Sequence, residues 1–155
     1  MSDQAAVVAT QEKTTFRQEC EVSASISATP EKIWRLLTDV GDMVRWNSTL
    51  TSMEGTIALG GTVKMAVPEA PGRVFSIRVT KYTPDREMVW SQGNRVMFLG
   101  VRTYRLTPNP NDTTTFQMTE VFSGLLLPVI AARLPDFKPI FERYAADLKQ
   151  EAEAG

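Results

Sequence analysis

The chain has 155 residues and no histidine. Imidazole is the side chain best placed to exchange protons near neutral pH and the commonest metal ligand. Its absence removes Ser-His-Asp and Cys-His nucleophile systems, histidine-based zinc sites and haem held by imidazole. Cysteine is almost as scarce. Cys20 stands alone, so no intrachain disulfide, CxxC pair or cysteine metal cage can form, and a buried thiol is expected. Neither a metal nor a cofactor is expected. An excess of one charge is also missing, with 17 basic and 18 acidic side chains giving a net charge of −1. Nothing in that balance supplies the basic face that nucleic acid or an anionic membrane would need. Nowhere do about 18 consecutive apolar residues occur, so membrane insertion is not expected. Residues 1–15 have no basic start followed by an apolar run and no cleavage pattern, and the expected location is the cytoplasm.

What is present is a core. At this length, with 43% of residues hydrophobic, one domain with a sizeable buried interior is the natural reading. Residues 1–15, rich in Ala, Gln, Thr and Ser, suit a flexible N-terminal tail, leaving 16–155 as the domain. From Phe16 the even positions Phe16, Cys20, Val22, Ala24 and Ile26 are mostly small or apolar while Arg17, Glu19 and Glu21 are charged, the period of a half-buried strand. Thr29-Pro30 then opens a helix carrying Ile33, Leu36, Leu37 and Val40, stopped by Gly41. Asp42 can cap a second short helix with Met43, Val44 and Trp46. Asp39 and Asp42 are accordingly read as helix-terminating residues and not as a catalytic pair.

From Leu50 to Gly124 turn chemistry at Gly60-Gly61, Pro68 to Gly72, Thr83-Pro84-Asp85, Gln92-Gly93-Asn94 and Pro108 to Asp112 separates six further strands. Gly60-Gly61 lacks the strand-loop-helix context of a phosphate cradle. Lys64, Arg73, Arg78 and Lys81 read as an outward, solvated face. The chain closes on a helix whose stripe is Phe137, Phe141, Tyr144, Ala145, Leu148 and Ala152. Pro128, Pro135 and Pro139 break its approach, and Asp136 is a fresh cap. The order gives an α+β class, an antiparallel sheet curved around one C-terminal helix.

The strand-to-helix junction Ile26-Ser27-Ala28-Thr29-Pro30-Glu31-Lys32-Ile33-Trp34-Arg35-Leu36-Leu37-Thr38-Asp39, followed by Trp46, resembles the opening of the START/Bet v 1-like (SRPBCC) superfamily. The likeness is to its bacterial polyketide cyclase/dehydrase and lipid-transport branch. Residues 100–108, Thr113 to Phe116, and the run Glu120-Val121-Phe122-Ser123-Gly124-Leu125-Leu126-Leu127-Pro128 are similar to that branch's last two strands and the approach to its long helix. The resemblance implies a helix-grip fold, seven antiparallel strands around the C-terminal helix, with an internal cavity for apolar small molecules. It also implies a histidine in the strand reading Gly100-Val101-Arg102-Thr103-Tyr104, where Arg102 stands instead. An activity leaning on that histidine could not operate in the same way here.

Phe98, Arg102, Tyr104 and Leu106 share one strand face, and Glu120 lies between Met118 and Phe122 with the same parity. If the hairpin through Pro108 to Asp112 pairs Leu106 with Phe116, antiparallel register brings Tyr104 to Met118 and Arg102 to Glu120. Two readings follow: a polar anchor for a ligand's carboxylate, carbonyl or hydroxyl, with Tyr104 as second donor, or two charges that satisfy each other. Met53, Met65, Met88 and Met118 fall on inward positions and suit either a deformable pocket or a core. The candidate ligand-binding set is Arg102, Tyr104 and Glu120 with the apolar Trp90, Met65, Phe75, Ile77, Phe98, Met118, Phe122, Phe137 and Phe141. Phe116 has the same parity. No catalytic nucleophile is visible, because the Ser and Thr residues lack an adjacent base. Three functions are compatible with this set. They are binding of a hydrophobic or amphipathic small molecule for transport or sequestration, a polyketide cyclase, aromatase or dehydratase using the same cavity, and a protein-interaction module. The expected protein is a monomer or homodimer.

Overall fold

A strand occupies nearly half of the segment expected to be a tail. The computed structural model describes residues 7–154, and its first element is β1 (Val7–Lys13). This strand pairs antiparallel with β2 (Arg17–Ile26) at every position from Val7 opposite Ala24 to Lys13 opposite Gln18. Val7 and Ala9 are half-buried against the core while Val8 and Thr10 face solvent. No large side chain marks the inward face, so the hydrophobic period is weak and the strand is held chiefly by backbone pairing to the edge of β2. The tail reading is thus corrected for Val7–Lys13, and its remainder over residues 1–6 lies outside the described residues.

β2 follows the expected alternation, with Gln18, Cys20, Val22, Ala24 and Ile26 buried. α1 (Pro30–Thr38) begins where Thr29 accepts a hydrogen bond from the Lys32 amide at 3.2 Å and Pro30 fills the first helical position. α2 (Met43–Trp46) has Asp42 at its N-cap, but the carboxylate is taken by Arg45, at 2.6 and 2.9 Å, and makes no capping bond. Six strands follow: β3 (Ser52–Gly55), β4 (Thr62–Ala66), β5 (Phe75–Thr83), β6 (Glu87–Asn94), β7 (Phe98–Pro108) and β8 (Thr114–Ser123). Then come α3 (Leu127–Ile130), a 3-10 turn at Ala131–Arg133, and α4 (Phe137–Glu153). The Pro-rich approach is broken as expected, and Asp136 caps α4 by accepting from the Lys138 amide.

All eight strands form one antiparallel sheet in the order β1-β2-β8-β7-β6-β5-β4-β3. The expected count of seven is short by β1. The sheet curves around α4, whose stripe Phe141, Tyr144, Ala145, Leu148 and Ala152 is buried, and the arrangement fits the helix-grip fold. The polar side of α4 is tied down as well. Asp147 accepts from the amide and hydroxyl of Ser48 at 2.8 and 2.7 Å, Lys149 donates to the Ser25 carbonyl at 2.7 Å, and Glu153 accepts from the Ser27 amide at 2.7 Å. These bonds grip the C-terminal part of α4, from Asp147 to Glu153. Its N-terminal turn, with Phe137 and Ile140 only half-buried, is where sheet and helix part.

Candidate functional site

A pocket of about 480 Å³ lies between the sheet and the first half of α4. β4, β5 and β6 contribute Met65, Phe75, Ile77 and Trp90; β7 and β8 contribute Phe98, Arg102, Met118, Glu120 and Phe122; α4 contributes Phe137 and Phe141. Alternation puts these residues on the concave face. Aromatic contacts then knit the wall together, with Phe122 5.6 Å from Phe98 and 5.2 Å from Phe137 between ring centres.

The β7–β8 register is the one the hairpin parity requires, Leu106 opposite Phe116, Tyr104 opposite Met118 and Arg102 opposite Glu120. Arg102 Nε donates to Glu120 Oε1 at 2.6 Å, and Nη2 lies 2.6 Å from the same oxygen. The Arg102 side chain keeps 17% of its exposure and that of Glu120 9%, so the pair is shielded but still borders the pocket. Its guanidinium carbon lies 5.2 Å from the centre of the Phe141 ring, a cation–π contact with α4.

Tyr104 is the one expected site residue that does not border the pocket. It shares the inward face of Arg102, but two positions along the strand α4 crosses directly above it. The phenol is buried against Trp90 and Tyr144, with ring centres 5.0 and 6.3 Å away. Met53 and Met88 likewise belong to the core, Met88 fully buried and Met53 packed against it.

This architecture has counterparts. Residues 17–153 match the family described as polyketide cyclase / dehydrase and lipid transport. The chain belongs to that family. Norcoclaurine synthase from Thalictrum flavum superposes with a TM-score of 0.68 at 9% identity, covering 93% of this chain and 98% of that one. A conserved protein of unknown function from Enterococcus faecalis gives 0.63 at 18% identity over 96% and 78% of the two chains. A protein from Mesorhizobium loti gives 0.63 at 24% identity over 84% and 94%. At these identities the likeness is one of fold. No curated protein matches the chain in sequence.

Within this member of the polyketide cyclase / dehydrase and lipid-transport family, the electrostatics of the pocket follow from burial. Desolvation opposes the charge on Arg102, but Glu120 and then Tyr104 outweigh it, and the guanidinium holds its proton more tightly than usual. Burial is the main cause that raises Tyr104 and Tyr144, which stay protonated. Cys20 sits opposite Glu120 on β2. Its thiol is pushed up to about 11 by burial first and then by Asp136, with Arg102 partly offsetting.

Several pocket residues escaped the sequence reading. Arg73, expected on a solvated outer face, stands at the pocket with its guanidinium 5.1 Å from the Phe75 ring centre. All four residues of that group, Lys64, Arg73, Arg78 and Lys81, are exposed as expected, Arg73 at the rim of the pocket. Arg133 and Leu134 come from the broken approach to α4, and Gln92 from the end of β6. Tyr144 also borders the pocket, and its place one turn after Phe141 on the helical stripe was the available signal. Trp90 Nε1 is buried with no hydrogen-bond partner among the described residues. Only the tertiary structure could reveal that vacancy in its bonding.

Proposed function

We propose that the protein binds a hydrophobic or amphipathic small molecule in the pocket between the sheet and α4, and holds it without converting it. The observation that carries this reading is a mostly apolar wall whose one shielded ion pair is Arg102 with Glu120, the other charged lining residues Glu69, Arg73 and Arg133 being exposed. A volume of about 480 Å³ falls in the range of small-molecule sites, which combine mostly apolar lining with a few placed polar groups. Apolar burial supplies the affinity, about 25 cal/mol per Å² gross. Arg102 has donors left over after its bonds to Glu120 Oε1, and these orient a carbonyl, carboxylate or hydroxyl on the ligand.

Holding is favoured over turnover by the protonation states. Arg102 keeps its proton, as do Tyr104 and Tyr144, so these groups donate hydrogen bonds without exchanging protons at neutral pH. A cyclase or dehydratase reading has the family description and the carbonyl-polarising capacity of Arg102 in its favour. It requires Arg102→Ala to abolish turnover of a polyketide substrate while the fold persists.

Native mass spectrometry of freshly purified protein tests the binding reading. The expected result is a retained small molecule, or saturable uptake of 1-anilinonaphthalene-8-sulfonate that Ile77→Trp, which fills the pocket, reduces. Empty spectra from several expression hosts together with probe uptake unchanged by Ile77→Trp would reject it.

A further inference from the structure

The exposed large hydrophobic residues are unevenly spread. Phe16, Val96, Met97, Leu125, Leu126 and Val129 are all exposed, Val129 at 73% and Val96 at 63%. They come from three separate segments, the β1–β2 turn, the β6–β7 turn and the β8–α3 connection with α3 itself, which backbone hydrogen bonds join at one end of the sheet. Leu125 donates to the Val96 carbonyl at 3.0 Å, Leu126 to that of Met97 at 2.8 Å, and Gly124 to that of Phe16 at 3.3 Å. Gly124 makes the approach possible. At its φ of +126° a Cβ would lie 2.5 Å from the Met97 oxygen, so only glycine fits.

This face is continuous with the pocket. Phe98 directly follows Met97, Ile130 directly follows Val129, and Arg133 and Leu134 come within the next four residues; all four line the pocket. Its charge is also one-sided. Residues 94–98 and 123–135 contain Arg95 and Arg133 and not one Asp or Glu. Among the described residues neither arginine is in an ion pair. The overall net charge conceals this local excess.

We propose that this face docks the protein onto the surface of an anionic phospholipid bilayer, with the pocket mouth turned toward the lipid. Exposed apolar side chains beside unpaired arginines match the interfacial layer, where acyl chains begin just beneath negative headgroups. A second copy is a poorer occupant, because a two-fold interface would bring Arg95 and Arg133 against the same cations of its mate. Docking stands on the exposed face and does not require the pocket to be filled.

The test is co-sedimentation of the full chain with vesicles of phosphatidylcholine alone and of phosphatidylcholine with phosphatidylglycerol. Binding should be at least about tenfold stronger to the anionic vesicles and should weaken as salt rises. Leu125→Asp with Val129→Asp should remove it, and Arg95→Glu should lower it several-fold and reduce its salt dependence. Val44→Asp, at an exposed apolar position on α2, should change nothing. All these side chains are exposed, and circular dichroism confirms that each variant folds. Wild-type protein that ignores anionic vesicles, or binding that survives the double Asp substitution, would overturn the proposal. So would light scattering that shows a dimer lost in the double variant without any vesicle binding, which would assign the face to a second copy.

Discussion

Arg102 and Glu120 face each other across β7 and β8, 2.6 Å apart through Nε and Oε1, on the wall of a pocket that α4 covers. Their meeting depends on register, since a one-residue slip would send one of the two to the outer face. The pair also explains how two charges persist beneath an apolar wall, because neither is left without its partner.

Removing one partner should therefore cost more than removing both. Glu120→Met alone leaves a shielded guanidinium uncompensated and is expected to lower stability by about 3 kcal/mol, and Arg102→Met alone similarly strands the carboxylate, whereas the two together should lie close to wild type. Urea denaturation of the two single variants and the double variant measures the coupling. Additive single effects would show that the ion pair contributes nothing.

Cys20 should be inert toward thiol reagents at pH 8 in the folded protein and react fully in denaturant, because burial first and then Asp136 push its thiol up to about 11. An acid that holds its proton more tightly when folded stabilises the fold while that proton is bound. The contribution is present below the unfolded thiol value of 9.0 and is lost as pH rises toward 11, a loss of about 2 kcal/mol. Denaturation midpoints of wild type and Cys20→Ala at pH 8 and pH 11 should converge if this is right.

Tyr104 and Tyr144 are raised chiefly by burial. In an absorbance titration both should stay protonated well above pH 10 and ionise only when the chain unfolds. The same linkage sign applies, so stability falls as pH climbs past 10. Reversible ionisation of all three tyrosines in the folded state would contradict the burial described here.

Deleting residues 1–13 removes β1 and exposes the edge of β2. The other seven strands retain their partners, so the fold should persist with a lower melting temperature and a greater tendency to aggregate through the new edge. Thermal melts and light scattering of the truncated chain check this. An unchanged melting temperature would mean that β1 adds nothing beyond its own hydrogen bonds.

Much of this protein was legible from local chemistry. The alternation from Cys20 to Ile26, the Thr29-Pro30 helix start, the Asp136 cap and the six strands between Leu50 and Gly124 all follow from side-chain period and turn residues, which act over a few positions. Even the Arg102–Glu120 contact was within reach, because a hairpin with a short turn propagates its register along both strands.

Tertiary structure alone decided the rest. Period tells which face a residue occupies and not how far along that face the covering helix crosses. Arg102 therefore borders the pocket, while Tyr104 on the same face lies buried under α4. Arg73 is exposed, as its neighbours suggest, yet the path of its loop also brings it to the pocket rim beside Phe75. β1 carries almost no hydrophobic signal because backbone pairing to β2 holds it, and that bonding is the same for every sequence. The apolar face at Phe16, Val96 and Val129 emerges only when three distant turns meet at one end of the sheet. Faces are written in the local order of side chains; depth, edges and junctions between distant segments arise when the sheet closes on the helix.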